Sequence, residues 1–468
     1  MKQGRLKPGD VIDGFTIGEL AHSCGMARLW SVTTPDLDFP LLMKVPVIGG
    51  GDDPASIVGF EMEEMILPRL SGLHVPRFVA NGDFAVLPYI VMEQISGPSL
   101  QSLVPRLPLP EEEVVGIGLK VTIALEELHR QHVVHLDIKP ANVLLRESGE
   151  AVLIDYGLAR HNLLPDLMQE QFRLPYGTAP YMAPEQVLGT RSDYRSDLFA
   201  LGVMMYFFAT GELPFGDPQR LRGLKRRLWR DPFPPRARNP EISQQLQEVI
   251  LRCLEVNPAW RYPSAAQLAL DLRDLAGVKL TARAVRTERD PWLTAIRRRF
   301  NPVLLETVKP QAADTQLGDA PIVLVAIDFR DGYAELADAL RRAVRRVADN
   351  TPNARIACLN VLRIKRIAMD DPLDESGRNK HVARIAELRA WAAPLQARGG
   401  TITFHVLEAV SPADVILDYA RENYVDHIVM GARAESKMRS VLGSVSGAVA
   451  AHAPCTVTVV RNRLKPDD

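Results

Sequence analysis

The stretch HVVHLDIKPANVLLRESGEAVLIDYGLA, from His132 to Ala159, does most to narrow what this chain can fold into. Asp137, Lys139 and Asn142 fall within six positions, and Asp155 follows shortly before a glycine. Runs rich in Val, Leu and Ile flank both groups, so the polar residues sit on loops between short strands. The residue before Asp137 is Leu136, an apolar side chain in a polar loop. Around this stretch, between about Val11 and Ala276, the pattern changes midway. The β-like runs GFTIGEL, PLLMKVPV and FAVLPYIVMEQI come first, and helical periodicity dominates from EEEVVGIGLKVTIALEELHRQ onward. A small sheet-rich lobe followed by a larger helical one is expected. The run LFALGVMMYFFATG, Leu198 to Gly211, is too short to span a bilayer and reads as a buried helix.

With 468 residues, 46% of them hydrophobic, the chain can bury two or three domain-sized cores. Its net charge of −1 points to neither nucleic acid nor a membrane surface as main partner. Cys24, Cys253, Cys358 and Cys455 are scattered without metal-ligand spacing, which fits a reducing cytoplasm. The N-terminal MKQGRLKPGD lacks the apolar run of a signal peptide. Residues 277–320 are Pro-punctuated, with seven Lys/Arg against three acidic residues between Leu280 and Pro310, and read as a basic linker carrying one short helix. In its stretch DPWLTAIRRRF, Trp292, Ile296 and Phe300 lie near one helical face. The cluster RLRGLKRRLWRD, Arg220 to Asp231, reads as a solvated helix face of the helical lobe. From Pro321 to Arg463 the runs PIVLVAIDF, ARIACLNVLR, TITFHVLEA, HIVMGA and CTVTVV alternate with amphipathic stretches, the pattern of an α/β domain with a parallel sheet of about five strands.

HLDIKPAN followed by DYG resembles the catalytic and metal-binding loops of the eukaryotic-type Ser/Thr protein kinases, and further motifs follow in that family's order over roughly the first 275 residues. The resemblance implies an α+β bilobal kinase fold over residues 11–276, with ATP and magnesium or manganese as cofactors and protein Ser/Thr hydroxyls as acceptors. By match to the motifs, Asp137 orients the acceptor hydroxyl and takes its proton, Lys139 steadies the γ-phosphate, and Asn142 and Asp155 hold the metal. Lys44 in LLMKV corresponds to the nucleotide lysine, and Glu63 in FEMEEMILPRL to its partner. Glu61 and Glu64 compete for that role, but Leu67 and Leu70 lie four and seven residues after Glu63 and put it on the packed face. VMEQI resembles the hinge, with Met92 at the gate and the backbone of Glu93 and Ile95 reading adenine. GTAPYMAPE resembles the end of the activation segment, with Thr178 near Asp137 and Glu185 paired to Arg261, while Asp197 braces the catalytic loop.

Several positions depart from the family. Counting back from Lys44, the three glycine positions of the phosphate loop fall on His22, Cys24 and Ala27, and only Gly25 lies between them. That cradle is expected to be reshaped, because a Cβ now stands where backbone approaches phosphate. Leu29 and Leu42 replace smaller residues and tighten the nucleotide pocket, and Tyr156 replaces the usual Phe. Leu136 stands where the family has an arginine that pairs with a phosphate on the activation loop. Residues 158–177 contain no Ser or Thr and carry Tyr176 as their only hydroxyl. Activity is therefore expected not to wait for phosphorylation of this loop.

The segment IVMGARAESKMRSVLGSVSGAVAAHAPCTVTVV resembles the end of universal stress protein domains, α/β modules that often dimerise and sometimes bind ATP. The resemblance covers residues 321–463 and implies a second candidate nucleotide site at Asp328, Gly431, Gly443 and Ser444, with Ala434 in place of a glycine. The combined expectation is a cytoplasmic bacterial-type Ser/Thr protein kinase without a transmembrane segment, regulated or dimerised by its C-terminal domain, with a homodimer as one partner state. The alternative is a pseudokinase serving as a nucleotide-sensing scaffold. Joint retention of Lys44, Glu63, Asp137, Lys139, Asn142 and Asp155 favours the enzyme. GTAPYMAPE, which shapes a peptide-binding surface in the family, argues against a small-molecule kinase.

Overall fold

The computed structural model describes residues 6–23, 26–47, 54–83, 86–172, 175–300, 321–329, 333–351, 354–364, 379–396, 401–432 and 444–461. The chain begins with β1 (Val11–Ile12), β2 (Phe15–Ser23), β3 (Ala27–Thr33), β4 (Leu41–Pro46), β5 (Phe78–Asn81) and β6 (Ile90–Glu93). These form one antiparallel sheet in the order β1-β2-β3-β4-β6-β5. Period-2 alternation divides its faces: Leu41 and Met43 of β4 join Phe15, Ile17, Trp30, Val32, Tyr89 and Val91 in a small core, while Leu42 and Lys44 point the other way. Helix α1 (Pro54–Ile66) follows β4 and buries Met62 and Ile66. The run FAVLPYIVMEQI yields only the four-residue β6, because Pro88 has no N–H for the ladder. Its neighbour β5, with the weakly patterned sequence FVAN, was not evident from sequence.

The second lobe is built on α2 (Glu111–Arg130), α5 (Arg195–Thr210), α7 (Gln244–Cys253) and α8 (Ala265–Arg273), with the shorter α3 (Leu167–Gln171), α4 (Pro184–Val187) and α6 (Leu221–Leu224) between them. Helix α2 starts after Pro110 with three glutamates in its first turn and ends on His129 and Arg130, charges that suit both ends of its dipole. Helix α5 is buried almost along its whole length and stops at Gly211, whose φ of 73° suits a residue without a Cβ. Two short strand pairs, β7 (Val133–Val134) with β10 (Arg160–His161) and β8 (Val143–Leu145) with β9 (Ala151–Leu153), carry the polar loops toward the first lobe. The chain after Gly277 stays on this lobe: Gln247 donates to the carbonyls of Arg283, Ala284 and Arg286, and Glu248 accepts from Thr281 and Arg283. Helix α9 (Trp292–Arg299) is tied through Arg298 to Asp231 and Asp290, and it exposes Trp292 and Leu293.

The C-terminal domain holds five parallel strands, β11 (Ile322–Ala326), β12 (Arg355–Arg363), β13 (Ile402–Ala409), β14 (His427–Gly431) and β15 (Thr456–Val460), in the order β13-β12-β11-β14-β15. All five fall on the runs read as strands in the sequence. Val323 and Val325 face α10 (Tyr333–Asp349) and α11 (Lys380–Gln396), whereas Leu324 faces α12 (Pro412–Glu422) and α13 (Ser444–His452). Burial on both faces explains why β11 is a continuous apolar run rather than an alternating one. Among the described residues, no helix is long and apolar enough to cross a membrane.

The most deeply buried ion pair in the helical lobe joins Arg261 to both oxygens of Glu185, at 2.6 and 2.7 Å, with both side chains essentially inaccessible. Arg261→Ala leaves the Glu185 carboxylate uncompensated, and we expect a loss of about 3–5 kcal/mol of stability, read as a lower urea midpoint at unchanged slope.

Candidate active site

Strand β4 aims Lys44 into the cleft between the lobes. Its ammonium pairs with Glu63 of α1 and lies 3.0 Å from Asp155, which follows β9. Burial disfavours the charged lysine, but Asp155 and Glu63 outweigh it and hold the Lys44 pKa above its ordinary value. Lys44 in turn keeps the Asp155 carboxyl below the usual carboxylate range. Three separate segments thus meet at one cation.

Below them, Asp137, Lys139 and Thr178 form a closed set. Lys139 Nζ donates to Asp137 Oδ2 at 2.7 Å and to Thr178 Oγ1 at 2.9 Å, while the Thr178 hydroxyl and N–H donate to Asp137 Oδ1 at 2.7 and 3.0 Å. Asn142 Nδ2 donates to the Asp137 carbonyl and to Asp137 Oδ2, which turns its own Oδ1 away from Asp137. Asn142 Oδ1 and the ionised Asp155 are hard oxygen donors of the kind magnesium takes alongside phosphate oxygens. The residues therefore fit that metal.

The loop carrying Asp137 has a strained backbone. Leu136 has φ 63°, a left-handed conformation that a side chain of its size rarely adopts. Asp197 of α5 holds it there by accepting from the N–H groups of His135 and Leu136 at 2.9 and 2.8 Å, and from His129 Nε2 at 2.9 Å. Gln186 donates to the Leu136 carbonyl from the other side. The Leu136 side chain itself is buried. Tyr156 is fully buried, and its hydroxyl donates to the Leu153 carbonyl at 2.9 Å.

The remaining pocket positions share one face of the sheet. Leu29 is registered against Lys44 across β3 and β4, Leu42 against Met92 and Lys44 against Ile90 across β4 and β6. Glu93 is fixed beside this face by Arg146, which donates to both its oxygens, and its N–H is used by the Arg77 carbonyl. Ile95 follows, nearly buried. Gly25 and Cys24 lie outside the described residues, and His22 is exposed at the end of β2.

Other residues at this site had no signal in the sequence. Arg227 is a correction: expected on a solvated face, it is 1% exposed and donates to the carbonyls of Ala179 and Met182, at the end of the activation segment. The basic cluster forms only two short turns, so one arginine faces inward. Arg191 holds the segment through Asp166 at 2.8 Å and the Leu158 carbonyl at 2.9 Å. Residues from the C-terminal domain also reach this region: Arg389 lies against Glu61 and Glu64, and Arg355 against Glu170. Such pairs link positions more than 180 apart, which no local pattern announces.

In the C-terminal domain, Asp328, Gly431 and Ser444 line a cavity of about 370 Å³, with Arg363, Lys380 and Arg384 also on its wall. It opens at the carboxyl ends of β11 and β14, where the strand order reverses, the usual ligand crevice of an open α/β sheet. Gly443 and Ala434 lie outside the described residues.

Residues 65–271 match the model of the protein kinase domain, and residues 321–461 that of the universal stress protein family. The chain joins a protein kinase domain to a universal stress protein domain. The kinase part is 30% identical over 273 residues to the serine/threonine-protein kinase PknB of Mycobacterium leprae, covering 57% of this chain and 43% of that protein. It is 31% identical over 217 residues to a probable serine/threonine-protein kinase of Clostridium perfringens, covering 46% of this chain and 31% of the relative. The chain thus spans less than half the length of these curated relatives. The crystal structure of the Mycobacterium tuberculosis PknI kinase domain is 26% identical and covers 58% of this chain and all of that one, with a TM-score of 0.45.

In the kinase domain, Asp197→Ala leaves the His135 and Leu136 N–H groups buried without an acceptor. The expected cost is about 2–4 kcal/mol, measured by urea unfolding.

Proposed function

We propose that the chain is an ATP-dependent protein serine/threonine kinase, using magnesium or manganese, and that its C-terminal domain regulates it. The observation carrying this reading is the set Asp137–Lys139–Thr178 lying in one cleft with Lys44, Glu63, Asn142 and Asp155. A bound metal would shield the charge of the β- and γ-phosphates. The protein's own groups do the rest. Lys44, kept charged by Glu63 and Asp155, lies against the α- and β-phosphates, and Leu29, Leu42, Met92 and the backbone of Glu93 and Ile95 enclose the base. Asp137 orients the acceptor hydroxyl toward phosphorus. The hydroxyl oxygen forms the new P–O bond while the β,γ-bridging bond breaks toward ADP, and the hydroxyl proton passes to Asp137. Lys139 stabilises the charge on the moving phosphoryl group, and Thr178 keeps Asp137 and Lys139 in register.

The acceptors are protein Ser/Thr side chains, presented along the segment from Thr178 to Glu185. The cavity beside Asp328, Gly431 and Ser444 is a second candidate nucleotide site, and its wall of Arg363, Lys380 and Arg384 suits phosphate. The C-terminal domain is also the candidate surface for a homodimer, and the cytoplasm is the proposed location.

The test mixes the full chain with magnesium and ATP labelled at the γ-phosphate and scores transfer to itself and to a basic protein. Asp137→Asn is expected to lower the rate by about 10²–10⁴-fold without loss of nucleotide binding. An unaltered rate in that variant would overturn the assignment of Asp137. Binding without transfer in the unaltered chain would favour the nucleotide-sensing scaffold.

A further inference from the structure

Three acidic side chains of the kinase domain meet the C-terminal domain, and of these Glu64 also accepts from Asn81 of its own lobe, at 2.8 Å. Glu61 and Glu64 flank Glu63 on α1, and Glu170 lies on α3 within the activation segment. All three are largely shielded from solvent. Arg389 of α11 donates to Glu61 and Glu64 at 3.1 and 2.9 Å, and its guanidinium lies over the Phe404 ring. Arg355, at the start of β12, donates to Glu170 at 2.5 Å, and the Tyr419 hydroxyl donates to the other Glu170 oxygen at 2.9 Å. Gln171 meets His405 at 3.2 Å. Apolar packing continues through this interface, since Leu167 and Met168 of α3 belong to the same buried cluster as Ile356, Trp391 and Phe404. Burial pushes the Glu61 carboxyl up, to about 7, with Arg389 pulling against it. Unpaired, these carboxylates would be costly to bury.

We propose that the universal stress protein domain acts in cis as an activating strut, with Arg389 and Arg355 as positioning residues that hold α1 and the activation segment in their catalytic arrangement. The inference rests on the kinase reading above and assigns that site its regulation. With this domain docked, Lys44–Glu63 is closed and Asp137, Lys139 and Thr178 are in contact, so the docked state is the assembled one. Arg355 also supplies a cation to the activation segment, on a carboxylate rather than a phosphate. Glu170 is a built-in anion of the kind that phosphorylation creates elsewhere, and Leu136 leaves the reading of it to the neighbouring domain. Whatever shifts the domain, including a ligand in its cavity, acts on α1 through Arg389 and on the activation segment through Arg355.

The experiment compares the full chain with Arg355→Ala, Arg389→Ala and the double variant. It reads steady-state phosphoryl transfer together with amide hydrogen exchange over residues 54–66 and 167–171. The strut requires a fall in kcat of tenfold or more, faster exchange in both segments, and a smaller change in the KM for ATP. Glu170→Ala combined with Arg355→Ala should be no worse than the poorer single variant, because the two act as a pair. Unchanged or increased kcat in the arginine variants would overturn the proposal, whatever exchange does. Should the unaltered chain transfer no phosphate, the kinase reading fails on its own. Exchange would then still decide whether the domain braces α1: faster exchange in the variants supports the brace, and equal exchange removes it.

Discussion

The Lys44 ammonium stands between the carboxylates of Glu63 and Asp155, and so draws together a strand of the first sheet, helix α1 and the loop that follows β9. The strand packs its other face into the small core of the first sheet, whereas α1 and the segment around β9 share the main buried cluster. A single cation with two anionic partners, Glu63 buried and Asp155 open to the cleft, therefore sets the relation between the lobes, and a misplaced α1 would release it. The same logic operates below, where the Asp197 carboxylate accepts two consecutive backbone N–H groups and keeps Leu136 in a left-handed conformation that its side chain opposes. That strain is local, and it aims Asp137 into the cleft.

What holds α1 from outside is the less expected half of the architecture. The acidic triplet Glu61, Glu63 and Glu64 serves two masters: Glu63 faces Lys44, and its neighbours face Arg389 of the C-terminal domain. The activation segment is held in a comparable way, by Arg191 within the kinase domain and by Arg355 from beyond it. An apolar Leu136 and a loop without Ser or Thr are consistent with this division of labour.

The order of elements was legible because local chemistry specifies it. Two-sided apolar runs marked the parallel strands of the second domain, and the long apolar stretch from Leu198 to Gly211 marked α5. Helical spacing singled out Glu63 as a residue on a packed face. It did not reveal that Glu61 and Glu64 are covered too, because the covering surface comes from residues some 325 positions away. Arg227 misled for a related reason: in a basic run every arginine looks alike, and only the nearby carbonyls of Ala179 and Met182 distinguish the buried one. Local patterns report which residues are buried or strained, whereas pairings between distant segments depend on a fold that must first exist.

The central claim is that this catalytic site is assembled without phosphate on its activation loop. The most direct measurement is the initial rate of phosphoryl transfer by full chain produced together with a phosphatase and shown by mass spectrometry to be unmodified. The account predicts transfer from the first turnovers, without a lag, at the rate of untreated protein. A lag that ends only as phosphate appears between residues 158 and 177, or no transfer until it does, would contradict it.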